Sequence, residues 1–307
     1  MKKSIKAKKQ ILKASNKRWL SILSLPLIFT LFFIIFRQLQ ASLFFQNKDR
    51  INLVFYGKNT TYYSLGKSDS IHYFISFYPD VKIKVPGGYG NYRIGALGKL
   101  VNLEHNNDLF RKAFSVTTAS SLDRFFYQNK TEIFYGKDQI EVDSLHFPSA
   151  GDIFFSSSNS NIFDRIYIFI RFFGKRSRQF AQIDFKRDMG LDEEFFQDKD
   201  FAKKYQGILY NRIYREEQKT VQIIYHSSYK TALFLSKIIE GDGIRVVDIS
   251  QGKSEKGDCE IVENGENFSV SAKDLASFYG CTLKNGQTDS SDIIIKLGLL
   301  EKEWEIL

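Results

Sequence analysis

The chain has 307 residues, 43% hydrophobic and 26% charged, which is enough apolar sequence to bury one or two cores and excludes a disordered polymer. Its net charge of +9 comes from the N-terminus, because residues 1–37 hold nine of the 44 basic residues and no acidic one. The other 35 basic residues are balanced by 35 acidic residues. This neutral remainder lacks the positive field that nucleic-acid binding requires, so nucleic acid is excluded as the partner.

The first predicted element is a membrane anchor. After a basic tail at 1–18 come 18 uncharged residues at 19–36, and as a helix these span about 27 Å, close to the thickness of a bilayer core. The cations before this segment predict a cytoplasmic N-terminus and an extracytoplasmic bulk. The alternative is a cleaved signal peptide, but Leu39 is large where a small residue is needed before cleavage. We therefore expect a single-pass protein of the cell membrane.

Residues 51–185 are expected to form an α/β domain. Apolar runs predict strands at 51–56, 71–78 and 81–85, helices at 96–104 and 108–114, and a further helix or strand from residue 120. Residues 162–173 are apolar and aromatic but too short and too charged for a second membrane span, which predicts a buried helix.

A charge-rich connector at 186–218 is expected to lead into a second domain at 219–300. There, strands are predicted at 221–225, 244–249, 259–263 and 292–297, and helices at 229–240 and 271–279. This β-α-β-β-α-β order predicts a small α/β domain with one sheet covered by two helices. The predicted fold class is therefore α/β in both domains.

Cysteine and histidine give little evidence for a metal centre. The two cysteines, Cys259 and Cys281, either form a disulfide outside the cytoplasm or are two small buried apolar residues. The four histidines are scattered along the sequence, which makes a zinc site improbable.

A glycine-rich loop at 86–95 is the first candidate for chemistry. Its Gly87, Gly88 and Gly90 either cradle a phosphate through backbone N–H groups or form a tight structural turn. Lys82 and Lys84 share a strand face, and a solvent-exposed face is the favoured explanation for these two lysines. Arg93 is the stronger candidate, because it follows the loop in an apolar stretch and its guanidinium can bind two phosphate oxygens at once.

Two further sets of charges are candidates. Asp69 and Asp80 flank the predicted strand 71–78 and either bind a divalent cation such as Mg²⁺ or cap turns. Lys175, Arg176 and Arg178 are clustered and either bind an anion or form a solvated helix face.

Several of these residues lie in stretches that resemble one family. Residues 75–96 contain Val-Pro-Gly-Gly-Tyr-Gly-Asn-Tyr-Arg-Ile-Gly-Ala, and residues 67–70 are Lys-Ser-Asp-Ser. They are similar to segments of the LytR-CpsA-Psr family, membrane-anchored bacterial proteins that transfer glycopolymers from a polyprenyl-pyrophosphate carrier to the cell wall. Residues 221–298 resemble the C-terminal domain often attached to that family.

The resemblance implies roles for individual residues. Arg93 would be catalytic and contact the pyrophosphate, Arg178 and Gln179 would match the family's late Arg-Gln pair as further pyrophosphate ligands, and Asp69 would be its metal-coordinating acid. Beside the resemblance, the basic cluster adds Arg176 as a pyrophosphate ligand, and the pair of carboxylates adds Asp80 as a Mg²⁺ ligand and catalytic residue. One departure matters: the family places an Arg-Asp pair where this chain has Pro79 and Asp80, so one pyrophosphate-binding arginine is missing.

The expected function therefore has two forms. In the first, the chain transfers a glycopolymer from its lipid carrier to the wall. In the second, it is an inactive relative that binds the cell wall or a membrane partner as a scaffold, because losing one cation from a pyrophosphate clamp removes much transition-state stabilisation.

Overall fold

The structure, a computed structural model, describes residue 26 and residues 29–46, 48–128, 132–136, 145–183, 198–252 and 257–306. It has a mixed α/β fold, which confirms the predicted fold class at that level. The chain divides into a first unit, Met1–Asn47 with Asn161–Tyr167, and a second unit, Lys48–Ser160 with Ile168–Leu307. Both sheets described below belong to the second unit.

In the first unit, residues 29–40 are helical and form α1. The Asp164 carboxylate accepts a hydrogen bond from the Leu43 backbone N–H at 2.7 Å, and the rings of Phe44 and Tyr167 lie 4.8 Å apart. None of the helices in the described residues is long and apolar enough to cross a membrane. The predicted tail at 1–18 and about half of the predicted span at 19–36 lie outside the described residues.

The first sheet has six strands in the order β7-β6-β1-β2-β3-β8. Their bounds are β1 Arg50–Tyr56, β2 Thr60–Gly66, β3 His72–Phe77, β6 Arg124–Tyr127, β7 Ser157–Ser158 and β8 Phe180–Gln182. β1 pairs in parallel with β6 and antiparallel with β2, and β3 pairs antiparallel with β2 and in parallel with β8. The strand β2 lies at the centre and is buried along its whole length, and it is not among the strands predicted from the sequence.

One face of this sheet packs on helices α2 (Ile94–Glu104) and α3 (Asp108–Thr118), with Val54, Ile75 and Phe114 in the shared core. Between β3 and α2 lies a hairpin of β4 (Lys82–Val85) and β5 (Gly90–Arg93). The helices α4 (Ala150–Phe154) and α5 (Ile162–Phe172) follow β6, and a short 3-10 turn, Ser177–Gln179, precedes β8. The Phe172 ring packs edge-on against Tyr63.

The prediction of a helix at 162–173 is confirmed, but the prediction that it is buried is wrong. Ile170 is 57% exposed and Phe173, just past the end of α5, is 77% exposed. Only part of the helix surface, including Ile168 and Phe172, is covered. Apolar composition on every side of a short helix therefore did not mean burial on every side.

The second sheet has five strands in the order β10-β9-β13-β11-β12. Their bounds are β9 Thr220–Tyr225, β10 Arg245–Gln251, β11 Glu260–Glu263, β12 Thr282–Asn285 and β13 Ile293–Lys296. Helices α8 (Tyr229–Gly241) and α9 (Val270–Tyr279) pack on one face of it, over Val221, Ile223 and Ile295. The helices and strands predicted for 221–297 are all present, and β12 is one strand more than the sequence predicted.

A disulfide joins Cys259 to Cys281, and both residues immediately precede the paired strands β11 and β12. Of the two alternatives left open by the sequence, the structure has the disulfide. Three short helices complete the second unit: α6 (Asp198–Tyr205), α7 (Arg212–Glu217) and α10 (Leu300–Glu303). Residues 186–197 of the predicted connector lie outside the described residues, and 198–218 contain α6 and α7.

A buried polar contact links the turn after α3 to the end of α8. Asp242, at the end of α8, accepts hydrogen bonds from the hydroxyl and backbone N–H of Ser121 and from the hydroxyl of Ser120. A Cβ on Gly241 would lie 1.6 Å from the Ala119 carbonyl oxygen, so only glycine permits this close approach.

Candidate functional site

The predicted site residues lie in two groups, at opposite ends of β3. Asp69 precedes the strand, and the pairing of His72 with Phe180 brings Arg176, Arg178 and Gln179 to the same end. Asp80 and Arg93 lie beyond the other end, where the backbone N–H of Ile94 donates to the Val81 carbonyl. Because a strand rises about 3.3 Å per residue, the two ends of β3 are about 17 Å apart. The structure therefore does not bring Asp69 and Asp80 together around one ion.

Asp69 is already engaged by a cation that the sequence analysis missed. One carboxylate oxygen lies 2.6 Å from a guanidinium nitrogen of Arg50, and the other accepts the backbone N–H of Ile71 at 2.9 Å. The Arg50 side chain is 2% exposed and also donates to the carbonyls of Tyr210 and Ile71 and to Ser64. These contacts indicate that Asp69 stabilises a turn and does not bind a metal.

The cations near Asp69 surround a buried histidine. His72 is 1% exposed, and both of its ring nitrogens lack a hydrogen-bond partner among the described residues. Burial, together with the positive charges of Lys175, Arg171 and Arg50, lowers the pKa of His72 to about 4. Arg176 and Arg178 are exposed, and the Gln179 side chain accepts the backbone N–H of Arg176. This end of β3 is therefore strongly cationic, with a neutral imidazole at its centre.

A cleft lies at the other end of the sheet. It has a volume of about 430 Å³ and is formed beyond the carboxyl ends of the parallel strands β1 and β6. Its apolar wall is aromatic and consists of Phe55, Tyr56, Tyr63, Phe126, Phe134 and Phe147. Carboxyl ends of parallel strands are the usual ligand-binding edge of α/β sheets, and the size is that of a small-molecule site.

The aromatic rings of the cleft wall pack against one another. Phe55 stacks on Phe126 with ring centroids 4.6 Å apart and meets Tyr63 edge-on at 5.8 Å. Burial raises the pKa of Tyr56 to about 12, so its hydroxyl stays protonated, donating to the Gly95 carbonyl and accepting the Gly98 backbone N–H. Such a wall favours a flat or flexible apolar ligand.

The rim of the cleft is polar. Lys58 and Asn59 are exposed at one side, and Gln128, Glu132, His146 and Asp152 contribute to the lining. No group of three or more potential metal-ligating side chains is found in the parts of the chain that the structure describes. The rim can therefore orient a polar headgroup through individual hydrogen bonds and charges.

Segment 132–136 connects the cleft to Arg93 and Asp80. The backbone N–H of Phe134, which lines the cleft, donates to the Gly95 carbonyl at 3.0 Å. Two residues on, the Gly136 backbone N–H donates to the Asp80 carboxylate at 3.1 Å. Arg93 is exposed and immediately precedes α2, two residues before Gly95. Asp80 is thus hydrogen-bonded to the segment that contributes Phe134 to the cleft wall, and Arg93 lies close to that contact in sequence, although neither residue lines the cleft. Asp69, Arg176, Arg178 and Gln179 do not line it either, but Gln179 precedes Phe180, whose ring lies 5.3 Å from that of the cleft residue Phe147.

The glycine loop is a structural turn. The backbone N–H groups of Gly87 and Gly88 both donate to the Glu305 carbonyl, at 2.8 and 3.1 Å. Both glycines have positive φ, 93° and 82°, which disfavours other residues. The amides that would have cradled a phosphate are therefore used to join the hairpin to the C-terminal segment.

The aromatic cleft residues carried a weak signal in the sequence. Phe55 lies in a strand that was predicted, but Tyr63 lies in β2, and Phe126 and Phe147 follow no spacing that marks a site. Comparison of the chain with known protein families, characterised proteins and solved structures finds no match. The argument for function thus depends on this geometry and on the resemblance in residues 67–96, 178–179 and 221–298.

Proposed function

We propose that the chain is a LytR-CpsA-Psr-like protein of cell-envelope assembly that binds a polyprenyl-pyrophosphate-linked glycan at the aromatic cleft. The observation that carries the proposal is the cleft itself: an apolar aromatic wall at the carboxyl ends of β1 and β6, in which Phe134 is hydrogen-bonded to Gly95, two residues after Arg93. In this proposal the head-proximal part of the prenyl chain packs on Phe55 and Phe126. The pyrophosphate lies at the rim, within reach of Lys58 and Arg93.

Two observations support an extracytoplasmic location. The Cys259–Cys281 disulfide is typical of an oxidising compartment. The apolar side chains of α1 are exposed, Phe29 by 71% and Phe32 by 65%, as expected for the end of a membrane anchor at 19–36. We accordingly place the second unit outside the cell membrane with the N-terminus in the cytoplasm.

In the transferring form, an acceptor hydroxyl of the wall polymer attacks the phosphorus that carries the glycan. The glycosyl phosphate then passes to the acceptor, the hydroxyl proton is released, and the polyprenyl phosphate leaves. Arg93 stabilises the negative charge on the pyrophosphate oxygens. The Asp80 carboxylate can bind a Mg²⁺ ion that the substrate's phosphates also hold. Such an ion would neutralise charge on the leaving group. Asp69 does not fit this role, because both of its oxygens are occupied.

Binding without transfer is the second candidate, and the separation of the charged residues favours it. The pyrophosphate clamp implied by the resemblance needs Arg93 and Arg178 at one headgroup, but they lie at opposite ends of β3. The position before Asp80 is Pro79 in place of an arginine. A scaffold that holds the carrier or the wall polymer needs only the cleft.

The two candidates are separated by one pair of experiments on the full chain in detergent. Binding of farnesyl pyrophosphate, a short soluble carrier analogue, is measured for wild type, Arg93→Ala and Lys99→Ala. Lys99 is the matched control, since it is exposed on α2 and its loss removes the same charge. We expect Arg93→Ala to weaken binding roughly tenfold, as for a charge-assisted contact, and Lys99→Ala to bind as wild type does.

Failure of wild type to bind the analogue, or equal binding by Arg93→Ala, would contradict the proposed headgroup contact. Turnover of a lipid-linked glycan in the presence of a wall acceptor then distinguishes the two forms. Product formation by wild type that is lost in Arg93→Ala identifies a transferase, whereas saturable binding without product identifies a scaffold.

A further inference from the structure

A patch of aromatic and aliphatic side chains lies on the second unit, and none of its residues lines the cleft. It comprises the exposed Phe155, Ile170 and Phe173 and the half-buried Phe169, and we call it the aromatic patch. Phe155 is 90% exposed, Phe173 77% and Ile170 57%. The Phe169 ring connects the two stretches of chain, lying 5.7 Å from Phe154 and 5.9 Å from Phe173. Clustered exposed aromatics of this kind mark an interaction surface rather than chance exposure.

Cations follow the aromatic patch directly along the chain. We call Arg171, Lys175, Arg176 and Arg178 the cationic cluster. None of the four forms an ion pair with a carboxylate in the parts of the chain that the structure describes. Burial and the charge of Arg171 lower the pKa of Lys175, so these like charges repel one another. A surface of this charge is complementary to an anionic partner.

The surrounding contacts explain why no described carboxylate neutralises the cationic cluster. Asp69, a carboxylate at the same end of the sheet, is paired with buried Arg50 at 2.6 Å. Arg171 donates from one guanidinium nitrogen to the Gly66 carbonyl at 2.7 Å, and its Nε is buried without a hydrogen-bond partner among the described residues. His72, beneath the cluster and 5.1 Å from the Phe180 ring, adds no negative charge.

We propose that the aromatic patch and the cationic cluster together form a docking surface for an anionic lipid bilayer. Phenylalanine and isoleucine side chains would enter the boundary between headgroups and acyl chains, while the adjacent cations would contact anionic headgroups. Neither feature alone specifies this partner. Their adjacency does, because a neutral apolar partner would not need four cations next to the patch and a soluble polyanion would not need the exposed rings.

The proposal is independent of carrier binding, since none of these residues lines the cleft. It concerns how the second unit is oriented on a membrane rather than what it binds there. The full chain is therefore tested in vesicles of phosphatidylcholine with and without phosphatidylglycerol. A nitroxide spin label is placed at Phe173→Cys; the native cysteines are joined in a disulfide and do not react.

The control label is placed at Leu103→Cys, which is 65% exposed on α2 and lies outside the patch. The measurement is the accessibility of each label to oxygen and to a water-soluble nickel chelate. We expect the label at 173 to be protected from the chelate several-fold in anionic vesicles, to be exposed in neutral vesicles, and to lose its protection in high salt. The label at 103 stays accessible throughout.

Charge reversal tests the cations. Arg176→Glu with Arg178→Glu is expected to abolish protection at 173, whereas Arg245→Glu with Lys302→Glu, two exposed cations of the second sheet's region, is expected to leave it unchanged. If Phe173→Cys does not fold, Phe155→Cys gives the second labelling position.

Equal chelate access at 173 and 103 in anionic vesicles would overturn the proposal. So would protection of 173 in detergent without lipid, which would mean that another segment of the chain covers the patch. Protection that does not depend on phosphatidylglycerol would overturn the role of the cationic cluster.

Discussion

The guanidinium of Arg50 lies 2.6 Å from the carboxylate of Asp69, and the arginine side chain is almost wholly buried. This contact gives Asp69 a structural role at the turn between β2 and β3. It also explains why the carboxylate that resembles a metal ligand in sequence is not free to act as one. The first prediction follows from the burial of this pair.

Replacing Arg50 by Met keeps much of the side-chain volume but removes every hydrogen bond that the guanidinium makes. We expect a loss of about 3 kcal/mol in the free energy of unfolding, because Asp69 and two carbonyls lose their donor. The free energy of unfolding of wild type and variant is measured by urea denaturation. Asp69→Asn, which keeps a hydrogen-bond acceptor, is expected to cost less and to leave the magnesium dependence of carrier binding unchanged. Loss of magnesium dependence in Asp69→Asn would show that Asp69 is a ligand after all.

The Cys259–Cys281 disulfide closes a short loop between β11 and β12, with 22 residues of sequence separation. For a loop of this length the constraint on the unfolded chain contributes about 3 kcal/mol. We therefore expect a reducing agent to lower the free energy of unfolding of wild type by this amount. The double variant Cys259→Ala, Cys281→Ala is expected to be equally destabilised and insensitive to reductant. Equal stability of oxidised and reduced wild type would be incompatible with this role.

The buried carboxylate of Asp242 makes the stability of the fold depend on pH. Burial raises the pKa of Asp242 from 3.8 to about 6, while the hydrogen bonds from Ser121 and Ser120 and the charge of Lys48 act in the opposite direction. The folded chain binds the proton more tightly than the unfolded chain, so stability falls as the pH rises from about 4 to about 6 and is then constant for this group. The size is about 3 kcal/mol.

Urea unfolding of wild type and Asp242→Asn between pH 4 and pH 7 isolates this contribution. We expect the difference in free energy of unfolding between the two proteins to change by up to this amount across the window. A difference that stays constant with pH would contradict a raised pKa for Asp242.

The buried imidazole of His72 makes the stability of the fold depend on pH in the opposite direction. Its pKa in the folded chain, lowered to about 4 by burial and by Lys175, Arg171 and Arg50, lies below the ordinary value of 6.5. The unfolded chain therefore binds the proton more tightly, and stability is lost as the pH falls from about 6.5 to about 4. The loss is about 3 kcal/mol. Since Asp242 acts in the opposite direction, the wild-type pH profile shows only their difference.

The contribution of His72 is measured with His72→Gln in the Asp242→Asn background. We expect this double variant to lose the acid destabilisation that Asp242→Asn alone displays. If acid destabilises both proteins equally, the imidazole is not held neutral by its surroundings.

Local sequence signals predicted the second sheet well. The side chains of Ser228 and Ser269 cap α8 and α9, and Gly280 ends α9 in the left-handed conformation, all features that the sequence displays. The helices and strands there begin and end within about two residues of the predicted positions. β12 was missed because Thr282–Asn285 has only four residues and is mostly exposed, so its pairing with β11 depends on a long-range contact.

The candidate site could be predicted only in part. Arg93 and Asp80 were recognised from residues near them in sequence; the structure hydrogen-bonds Asp80 to Gly136, two residues after the cleft residue Phe134, and neither Asp80 nor Arg93 lines the cleft. The cleft itself needs Phe55, Tyr63 and Phe147, which come from separate elements and meet only through the order of the strands in the sheet. The commitment of Asp69 to Arg50, 19 residues away, was invisible for the same reason.

In the proposed function the aromatic cleft holds the prenyl chain of a lipid carrier. Photo-crosslinking of the full chain with a diazirine-bearing polyprenyl pyrophosphate, followed by mass spectrometry of the labelled peptides, tests this contact. We expect crosslinks within residues 55–63, 126–128 and 145–148, reduced by excess farnesyl pyrophosphate. Crosslinks confined to the second sheet, or label that excess farnesyl pyrophosphate does not displace, would contradict it.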